Sequence, residues 1–296
     1  MKKITHVLFA AMIVCLILNA PDAWSQKVHQ TINAGFSDPD KPGKVNLSWM
    51  LGNVTVKVNS EPGVSIQLLK KAEPVIEEGM TLIKGSKTTF SLPIETFEED
   101  NVITIRAFGS DGYYDVLLLV PPPTSLQINN ASGDVIVEDR EGRMGEIDVK
   151  CGFGDISLSG ITGPVTANSQ YGTITAEFTA INHDKPMSFA TVNKDITLLL
   201  PPDTKATLSL NTMSYIATNM DLKQYGKKEK ELERSRSDDL FKDYVFSKAY
   251  EQITYTTNIR EIFKQKNAPS TYTINDGGVR ITVSSLYGNI YFKKRM

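Results

Sequence analysis

The sequence predicts an all-β protein whose short strands stack as the successive coils of a β-solenoid, or β-helix. Three observations predict this fold class. A phrase of glycine, Asp, Asn or Thr, and a β-branched residue recurs along the chain; several glycines are evenly spaced; and the segments between them alternate apolar and polar residues. Repetition of one turn-and-strand unit is typical of folds in which each unit packs on its neighbours. A β-sandwich or a β-roll is the alternative architecture.

The recurring phrase marks the predicted corners of the coils. Glycine suits a tight turn because it adopts backbone conformations that other residues avoid, and Asp and Asn side chains bond to nearby backbone groups there. One copy has Lys194 where the others have glycine, which predicts less regular later coils. The residues predicted to form these structural turns are Gly52, Asn53, Gly133, Asp134, Gly154, Asp155, Gly172, Asp195, Gly288 and Asn289.

Glycine spacing predicts the length of a coil. Gly145, Gly154, Gly163 and Gly172 follow one another at intervals of nine residues, and Gly133 precedes Gly154 by 21. Two strands and two turns therefore give a coil of about 18–21 residues. Each strand has one apolar and one polar face, so stacking buries the apolar faces in a continuous core. Small residues on the apolar faces, such as Ala167 and Ala176, predict that this core is narrow.

The first 25 residues are predicted to be a secretory signal peptide. Lys2 and Lys3 precede an apolar run at residues 7–18, and Ala23 stands where small residues precede a cleavage site. The run is shorter than the ~20 residues that a membrane-spanning helix needs. Cys15 lies inside the run without a small residue before it, so ordinary cleavage is favoured over lipid attachment. We expect the mature chain to have no transmembrane segment.

The mature chain divides into four predicted parts. Residues 26–120 form an N-terminal β-block, 121–220 a β-repeat core, 221–250 a charged insertion loop, and 251–296 C-terminal strands that close the same domain. Pro-Pro pairs after Val120 and Leu200 predict corners, because proline cannot donate to a strand ladder. A strand at residues 253–256 is expected. Residues 272–274 and 279–283 are predicted to pair as a hairpin across the turn at 275–278, before residues 289–292 complete the stack.

Composition excludes several classes of function. The formal net charge is −2, so no basic field attracts nucleic acid. Cys151 is the one cysteine outside the signal peptide, which rules out an internal disulfide, and its place in the strand pattern predicts a small buried side chain. His29 and His183 lie far apart in the sequence and suggest no zinc site or catalytic triad. We predict no catalytic residue, no metal site and no cofactor.

Two rows of side chains carry the remaining hypotheses. Asp134, Asp155 and Asp195 are expected to accept backbone N–H groups at turns; alternatively, stacked on adjacent coils, they form a carboxylate row of the kind found in β-helical enzymes that cut polysaccharides. Phe153, Tyr171 and Tyr287 precede corner glycines and are expected to stack over them. A second aromatic set is interpreted as ordinary strand residues rather than sugar-stacking platforms: Trp49, Tyr113 and Tyr114.

The Gly-Asp-Ile and Gly-Asp-Val phrases, the prolines after Val120 and Leu200, and the signal peptide together resemble the bacterial putative-adhesin family of β-strand-repeat proteins, a domain-of-unknown-function family. The resemblance covers nearly all of the mature chain and is strongest at residues 44–58 and 116–210. It implies an exported, β-solenoid-like protein. It implies no catalytic or binding residue.

We therefore expect a non-enzymatic, adhesin-like structural or interaction scaffold of the cell envelope. Its localisation is expected to be the periplasm, the outer-membrane surface or the extracellular space, and its partner a cell-surface or envelope protein or glycan, with no nucleic acid. Two alternatives stay open. One is a periplasmic regulator that binds a membrane signalling partner through the insertion at 225–244, and the other is a carbohydrate-active β-helix enzyme.

Overall fold

The computed structural model describes residues 27–70, 80, 94–107, 113–224 and 270–295. The predicted signal peptide, the predicted insertion from residue 225 onward and the predicted strand at 253–256 lie outside the described residues. Within the described residues the chain forms strands, turns and irregular segments, and no helix. The all-β class is therefore confirmed.

The strands follow the alternating pattern of the sequence. In the first part of the chain they are β1 (Lys27–Ala34), β2 (Gly43–Leu51), β3 (Val54–Val58), β4 (Val64–Lys70), β5 (Ile94–Glu99), β6 (Val102–Ala107) and β7 (Tyr114–Val120). Next come β8 (Thr124–Ser132), β9 (Val135–Glu138), β10 (Ile147–Phe153), β11 (Ile156–Ile161), β12 (Val165–Ser169), β13 (Ile174–Phe178), β14 (Met187–Thr191) and β15 (Ile196–Leu200). The last are β16 (Ala206–Thr212), β17 (Ile216–Thr218), β18 (Lys223–Gln224), β19 (Ser270–Ile274), β20 (Val279–Ser285) and β21 (Ile290–Lys294).

The strands form two sheets that face each other across one core. Sheet A has the order β1-β4-β7-β3-β9-β11-β13-β15-β21-β17, and sheet B the order β18-β19-β16-β20-β14-β12-β10-β8-β2-β6-β5. From β6 and β7 to β16 and β17, each coil contributes one strand to each sheet, and neighbouring coils pair in parallel. Antiparallel strands flank this parallel stack, β1 and β4 in sheet A and β5 in sheet B at one end. This is the predicted β-solenoid-like stack.

The register places equivalent residues of successive coils side by side. Ile156 pairs with Val135 on one side and Ile174 on the other, and Ile174 pairs with Ile196. These pairings give coil lengths of 21, 18 and 22 residues, close to the predicted range. The inward row that contains these residues is fully buried in sheet A: Val116, Val54, Val135, Ile156, Ile174, Ile196 and Ile290.

Small side chains lie beside large ones in part of the core. Ala167 lies beside Phe189 in sheet B, and Phe178 meets Phe189 edge-on with ring centroids 6.3 Å apart. Ala167 and Ala176 are both fully buried, as predicted, and leave room for these rings. Burial of one such apolar side chain contributes about 1.5–3 kcal/mol, so the continuous core is the main source of stability.

The predicted C-terminal hairpin is wrong. The strands β19 and β20 do not pair with each other; β16 lies between them, antiparallel to β19 and parallel to β20. The turn at 275–278 crosses the entry to β16, where Asn275 Nδ2 donates to the carbonyl oxygens of Pro202 and Thr204 at 2.9 and 3.0 Å. A strong turn signal thus joins two strands that are separated by a third.

The order of the last coils also differs from the prediction. The coil of β20 and β21 was expected to close the stack, yet β21 pairs in parallel with both β15 and β17. Ile290 therefore lies between Ile196 and Ile216 and is fully buried. In the sequence β16 and β17 precede β20 and β21, but in the stack the coil of β20 and β21 lies between that of β14 and β15 and that of β16 and β17.

Candidate functional site at the glycine corner

The predicted turn residues come together along one edge of the stack, where each strand of sheet B leads into a strand of sheet A. We call this edge the glycine corner. Parallel register aligns its coils, so each sequence position forms a row that runs along the stack, with a step of about 4.8 Å per coil. In spatial order the glycine corner consists of residues 113–115, 49–53, 130–134, 151–155, 169–173, 191–195, 285–289 and 212–215.

Glycine is required at several positions of this row because neighbouring coils approach closely there. A Cβ atom on Gly172 would lie 1.8 Å from the carbonyl oxygen of Gly154. On Gly133 it would lie 2.2 Å from the carbonyl oxygen of Gly52, and the φ of Gly133 is 118°. Both distances are far below van der Waals contact, so a larger residue forces the backbones apart.

Lys194 takes the place of glycine in one coil without disturbing the stack. Lys194 does not have a positive φ, so its side chain causes no strain of that kind in the backbone. The strand that follows it stays in register on both sides, with Ile196 between Ile174 and Ile290. The missing glycine put the regularity of the later coils in doubt, and at this coil the register is regular.

The residues that follow the glycine position of the coils form a ladder of hydrogen bonds, which we call the Asx row. Asp115 Oδ1 accepts the N–H of Asn53 at 2.7 Å, and Asn53 Oδ1 accepts the N–H of Asp134 at 2.8 Å. Asp134 Oδ1 then accepts the N–H of Asp155 at 2.9 Å, and Asp155 Oδ1 that of Thr173 at 2.7 Å. Each side chain thus satisfies a backbone donor of the next coil.

The Asx row resumes beyond Thr173. Asp195 Oδ1 accepts the N–H of Asn289 at 2.7 Å, and Asn289 Oδ1 accepts the hydroxyl of Ser214 at 2.6 Å. Asp115 was not among the predicted turn residues, although its place before Val116 matches that of Asp195 before Ile196. Asp and Asn occur at equivalent positions in this row, because the shared feature is one oxygen acceptor.

A second ladder lies inside the glycine corner, at the last inward position of each sheet B strand. Its side chains donate to the carbonyl oxygen at the glycine position of the preceding coil. The pairs are Trp49 to Tyr114 at 2.9 Å, Asn130 to Gly52 at 3.1 Å, Cys151 to Gly133 at 3.3 Å, Ser169 to Gly154 at 2.9 Å, Thr191 to Gly172 at 2.9 Å, Ser285 to Lys194 at 2.9 Å and Thr212 to Gly288 at 2.8 Å. We call this the carbonyl row.

The carbonyl row was not predicted. These carbonyl groups lie in turns, where side chains rather than strand partners donate to them. A buried backbone oxygen without a donor would lower the stability of the fold. The sequence does carry a signal: a polar residue ends an otherwise apolar inward face, as Ser169 does after Val165 and Ala167. Without the register, nothing tells which carbonyl group such a residue serves.

Cys151 lies in the carbonyl row and is buried, as the sequence predicted. Burial, and then the carboxylates of Asp134 and Asp155, raise its pKa to about 11. A thiol with this pKa is almost entirely protonated at neutral pH, so it lacks the thiolate that a nucleophile or metal ligand requires.

The outward side of the glycine corner carries a row of mostly aromatic and apolar positions, interrupted by Ser132 and Asn193, which we call the aromatic row. Phe153 and Tyr171 stack on each other with ring centroids 4.8 Å apart and an interplanar angle of 5°. Phe153 is 59% exposed and Tyr287 is 62% exposed. The aligned positions hold, in spatial order, Tyr113, Leu51, Ser132, Phe153, Tyr171, Asn193, Tyr287 and Met213.

Two of the three aromatic residues that were weighed as sugar platforms are buried. Trp49 is buried in the core, and its Nε1–H donates to the backbone carbonyl oxygen of Tyr114. The ring of Tyr114 is also buried. Neither ring has a face open to a ligand. Tyr113 is exposed and belongs to the aromatic row.

The two histidines that the structure describes lie apart from each other, and only His29 is near the glycine corner. His29 is in β1, with its ring centroid 5.9 Å from that of Tyr114, and His183 is exposed in the loop between β13 and β14. Among the described residues, no group of three or more His, Cys, Asp or Glu side chains is placed to hold a metal ion. The described chain also contains no helix that is long and apolar enough to cross a membrane.

Two crystal structures are similar to this chain. One is described as a putative cell adhesion protein from Clostridium sporogenes, with 10% sequence identity, a TM-score of 0.47, and coverage of 90% of this chain and 99% of that chain. The other is a putative adhesin from Bacteroides fragilis, with 9% identity, a TM-score of 0.29, and coverage of 90% and 98%.

No curated protein matches the sequence. The family model Toastrack DUF4097 matches residues 50–239, which is well over half of the chain. The matched region begins just before Gly52 and includes the coils of β8 to β15, where the Asx, carbonyl and aromatic rows are most regular. The chain belongs to the Toastrack DUF4097 family.

Proposed function

We propose that the protein is an exported, non-enzymatic, adhesin-like scaffold of the cell envelope, and that it binds a partner at the glycine corner. The observation that carries this proposal is the aromatic row. Exposed apolar side chains grouped on a surface are typical of interaction sites on soluble proteins, and here they form two neighbouring pairs, Phe153 with Tyr171 and Tyr287 with Met213. Here they lie in register along a stack held by a continuous core, so the partner meets a preformed surface.

The geometry favours a scaffold over a carbohydrate-cutting enzyme. The Asp side chains of the Asx row are stacked, as that alternative required, but Asp134 and Asp155 each accept a backbone N–H from the next coil. A glycoside hydrolase needs one carboxyl group as proton donor, with a raised pKa, and a second as base or nucleophile across an open groove. The described glycine corner offers an outward ridge of aromatic residues instead.

Export is tested by fractionation. The predicted signal peptide lies outside the described residues, so the proposal needs direct measurement in the cells that produce the protein. We expect the chain in the envelope or medium, cleaved near residue 25 as read by mass spectrometry of its N-terminus. An uncleaved chain confined to the cytoplasm would remove the export part of the proposal.

Attachment is tested separately by deleting the gene and measuring binding of the cells to surfaces and to neighbouring cells. We expect weaker attachment, restored by the wild-type gene. Protease added to intact cells then distinguishes display on the surface from a role in the periplasm. Unchanged attachment and unchanged recovery of envelope partners on purification would contradict a scaffold that works by adhesion.

A further inference from the structure

We propose that the glycine corner from β7 to β13 binds an extended cationic peptide segment of a partner protein. This inference rests on the proposed scaffold function and states the chemistry of its partner. It is carried by two rows that run side by side along the stack, the aromatic row and the Asx row.

The two rows complement the two parts of a Lys or Arg side chain. Phe153 and Tyr171 expose apolar ring surface, and Asp155 exposes its carboxylate two residues after Phe153 on the same coil. Asp134 exposes a second carboxylate beside Asp155, on the neighbouring coil of Ser132. Lysine and arginine bury their methylene stems on apolar surface while their charged heads reach a polar neighbour. A cationic side chain that lies across the glycine corner therefore packs its stem on the aromatic row and places its charge at the Asx row.

The local charge is negative over this part of the glycine corner. Asp134 and Asp155 contribute two exposed carboxylates on neighbouring coils, and Asp115, two coils before Asp134, contributes a buried third. The field is felt by Tyr113, whose pKa is raised first by burial and then by Asp115 and Asp134. Lys194 lies one coil beyond Thr173 and ends the acidic stretch, which is why the proposal stops at β13.

The same features disfavour other occupants. Phe153 and Tyr171 stack on each other, so one face of each ring is covered and less flat surface is left for a sugar ring. A second copy of this chain would bring its own Asx row, and an anionic lipid surface its own negative charge; both repel these carboxylates. An extended cationic peptide has neither problem.

The size of the site sets the length of the peptide. Asp115 to Thr173 spans four coil steps, or about 19 Å at about 4.8 Å per step. An extended peptide covers about 3.3 Å per residue, so about six residues occupy the site. A ten-residue probe of alternating Lys and Thr leaves a margin at each end, and the same peptide with Glu in place of Lys is its reference.

The experiment measures binding of the fluorescently labelled Lys-Thr peptide to the purified protein by anisotropy. We expect saturable binding that weakens as salt is added, because exposed charges are screened. The Glu-Thr peptide is expected not to bind. Cellohexaose, phosphatidylglycerol vesicles and self-association by analytical ultracentrifugation test the other occupants under the same conditions.

The charge variant is the double substitution Asp134→Asn and Asp155→Asn. Asparagine keeps the oxygen that accepts the N–H of the next coil, as Asn53 and Asn289 do in the native row. Peptide affinity is expected to fall at least about tenfold, with a smaller salt dependence. The matched control is Asp184→Asn with Asp203→Asn, two exposed turn residues where sheet A leads into sheet B, and its affinity is expected to stay within about twofold.

The aromatic variant is Phe153→Ser, because Ser132 occupies the same position in the neighbouring coil. Its affinity is expected to fall with the salt dependence unchanged, since stem packing is lost while the charges remain. Phe97→Ser is the control, because Phe97 is also exposed but lies in β5, away from the glycine corner. Thermal unfolding of every variant verifies that the stack is intact.

Several outcomes would overturn the inference. They are equal affinity of the Asp134→Asn, Asp155→Asn variant and the wild type, equal binding of the Glu-Thr peptide, and binding of cellohexaose, vesicles or a second copy in place of the cationic peptide. The proposed scaffold function is judged separately. If cells that carry the double variant attach like the wild type, the scaffold function stands and the cationic partner does not; if the chain is never exported, peptide binding by the purified protein is unaffected.

Discussion

Cys151 donates its thiol hydrogen to the carbonyl oxygen of Gly133, with a sulfur–oxygen distance of 3.3 Å. Ser169 and Thr191 occupy the same position in the next two coils and use a hydroxyl for the same purpose. The cysteine is therefore one member of the carbonyl row, and its thiol donates a hydrogen bond where the neighbouring coils use a hydroxyl. Three predictions about stability follow from the rows of the glycine corner, and one concerns this thiol.

The thiol of Cys151 is expected to be inert in the folded protein. Because its pKa is raised to about 11 from an ordinary value of 9.0, iodoacetamide should label it only after denaturation. The raised pKa also predicts that the free energy of unfolding falls between pH 9.0 and about 11, since the unfolded thiol loses its proton first. Cys151→Ser should remove this part of the pH dependence. Rapid labelling of the native protein at pH 7 would contradict the assignment.

Ser169→Ala should destabilise the stack. The Ser169 hydroxyl donates to the carbonyl oxygen of Gly154 and accepts the N–H of Gly172 at 2.8 Å, so alanine leaves two buried backbone groups without this partner. We expect a loss of about 1–3 kcal/mol in urea unfolding. Ser157→Ala is the control, because Ser157 is exposed on β11 and should change stability by less than about 0.5 kcal/mol. Equal effects of the two substitutions would argue against the carbonyl row.

Gly172→Ala should be more damaging than a typical surface substitution. The added Cβ would lie 1.8 Å from the carbonyl oxygen of Gly154, which is backbone and has no rotamer to adopt. Separating the two coils breaks backbone hydrogen bonds between them. We expect the free energy of unfolding to fall by more than about 3 kcal/mol, or the protein not to fold. Gly35→Ala is the matched control, since nothing lies within 4 Å of a Cβ there. Similar unfolding midpoints for both variants would contradict the close approach.

The sequence predicts the coils well because their pattern is local. The inward row of Val135, Ile156 and Ile174 is visible as period-2 alternation after each Gly-Asx phrase, and the glycine spacing then gives the coil length. The sequence also identifies Phe153 and Tyr171 as corner residues, because each precedes a corner glycine, but it does not predict that the two rings stack on each other. Local pattern and global register agree over this region.

What the sequence does not predict depends on partners that are distant along the chain. The hairpin of β19 and β20 was expected because Asn275 to Gly278 is a strong turn, but it does not reveal that β16 lies between the strands. The carbonyl row has the same character: Ser285 serves Lys194, which is 91 residues away. The residues of a turn determine the path of the chain within that turn. Which strand pairs with which depends instead on burial of the apolar strand faces, and the partner strand can be distant in the sequence.

Asp155 provides the sharpest test of the Asx row, because two substitutions separate its charge from its hydrogen bond. Asp155→Asn keeps the oxygen that accepts the N–H of Thr173, now at 2.7 Å, and copies the native arrangement at Asn53. We expect its free energy of unfolding to stay within about 0.5 kcal/mol of the wild type. Asp155→Ala removes the acceptor and should cost about 1 kcal/mol, measured by urea unfolding. If the asparagine variant were as unstable as the alanine variant, the carboxylate charge rather than the ladder would hold this corner together, and the charge variant that tests peptide binding would need Asp134→Asn alone.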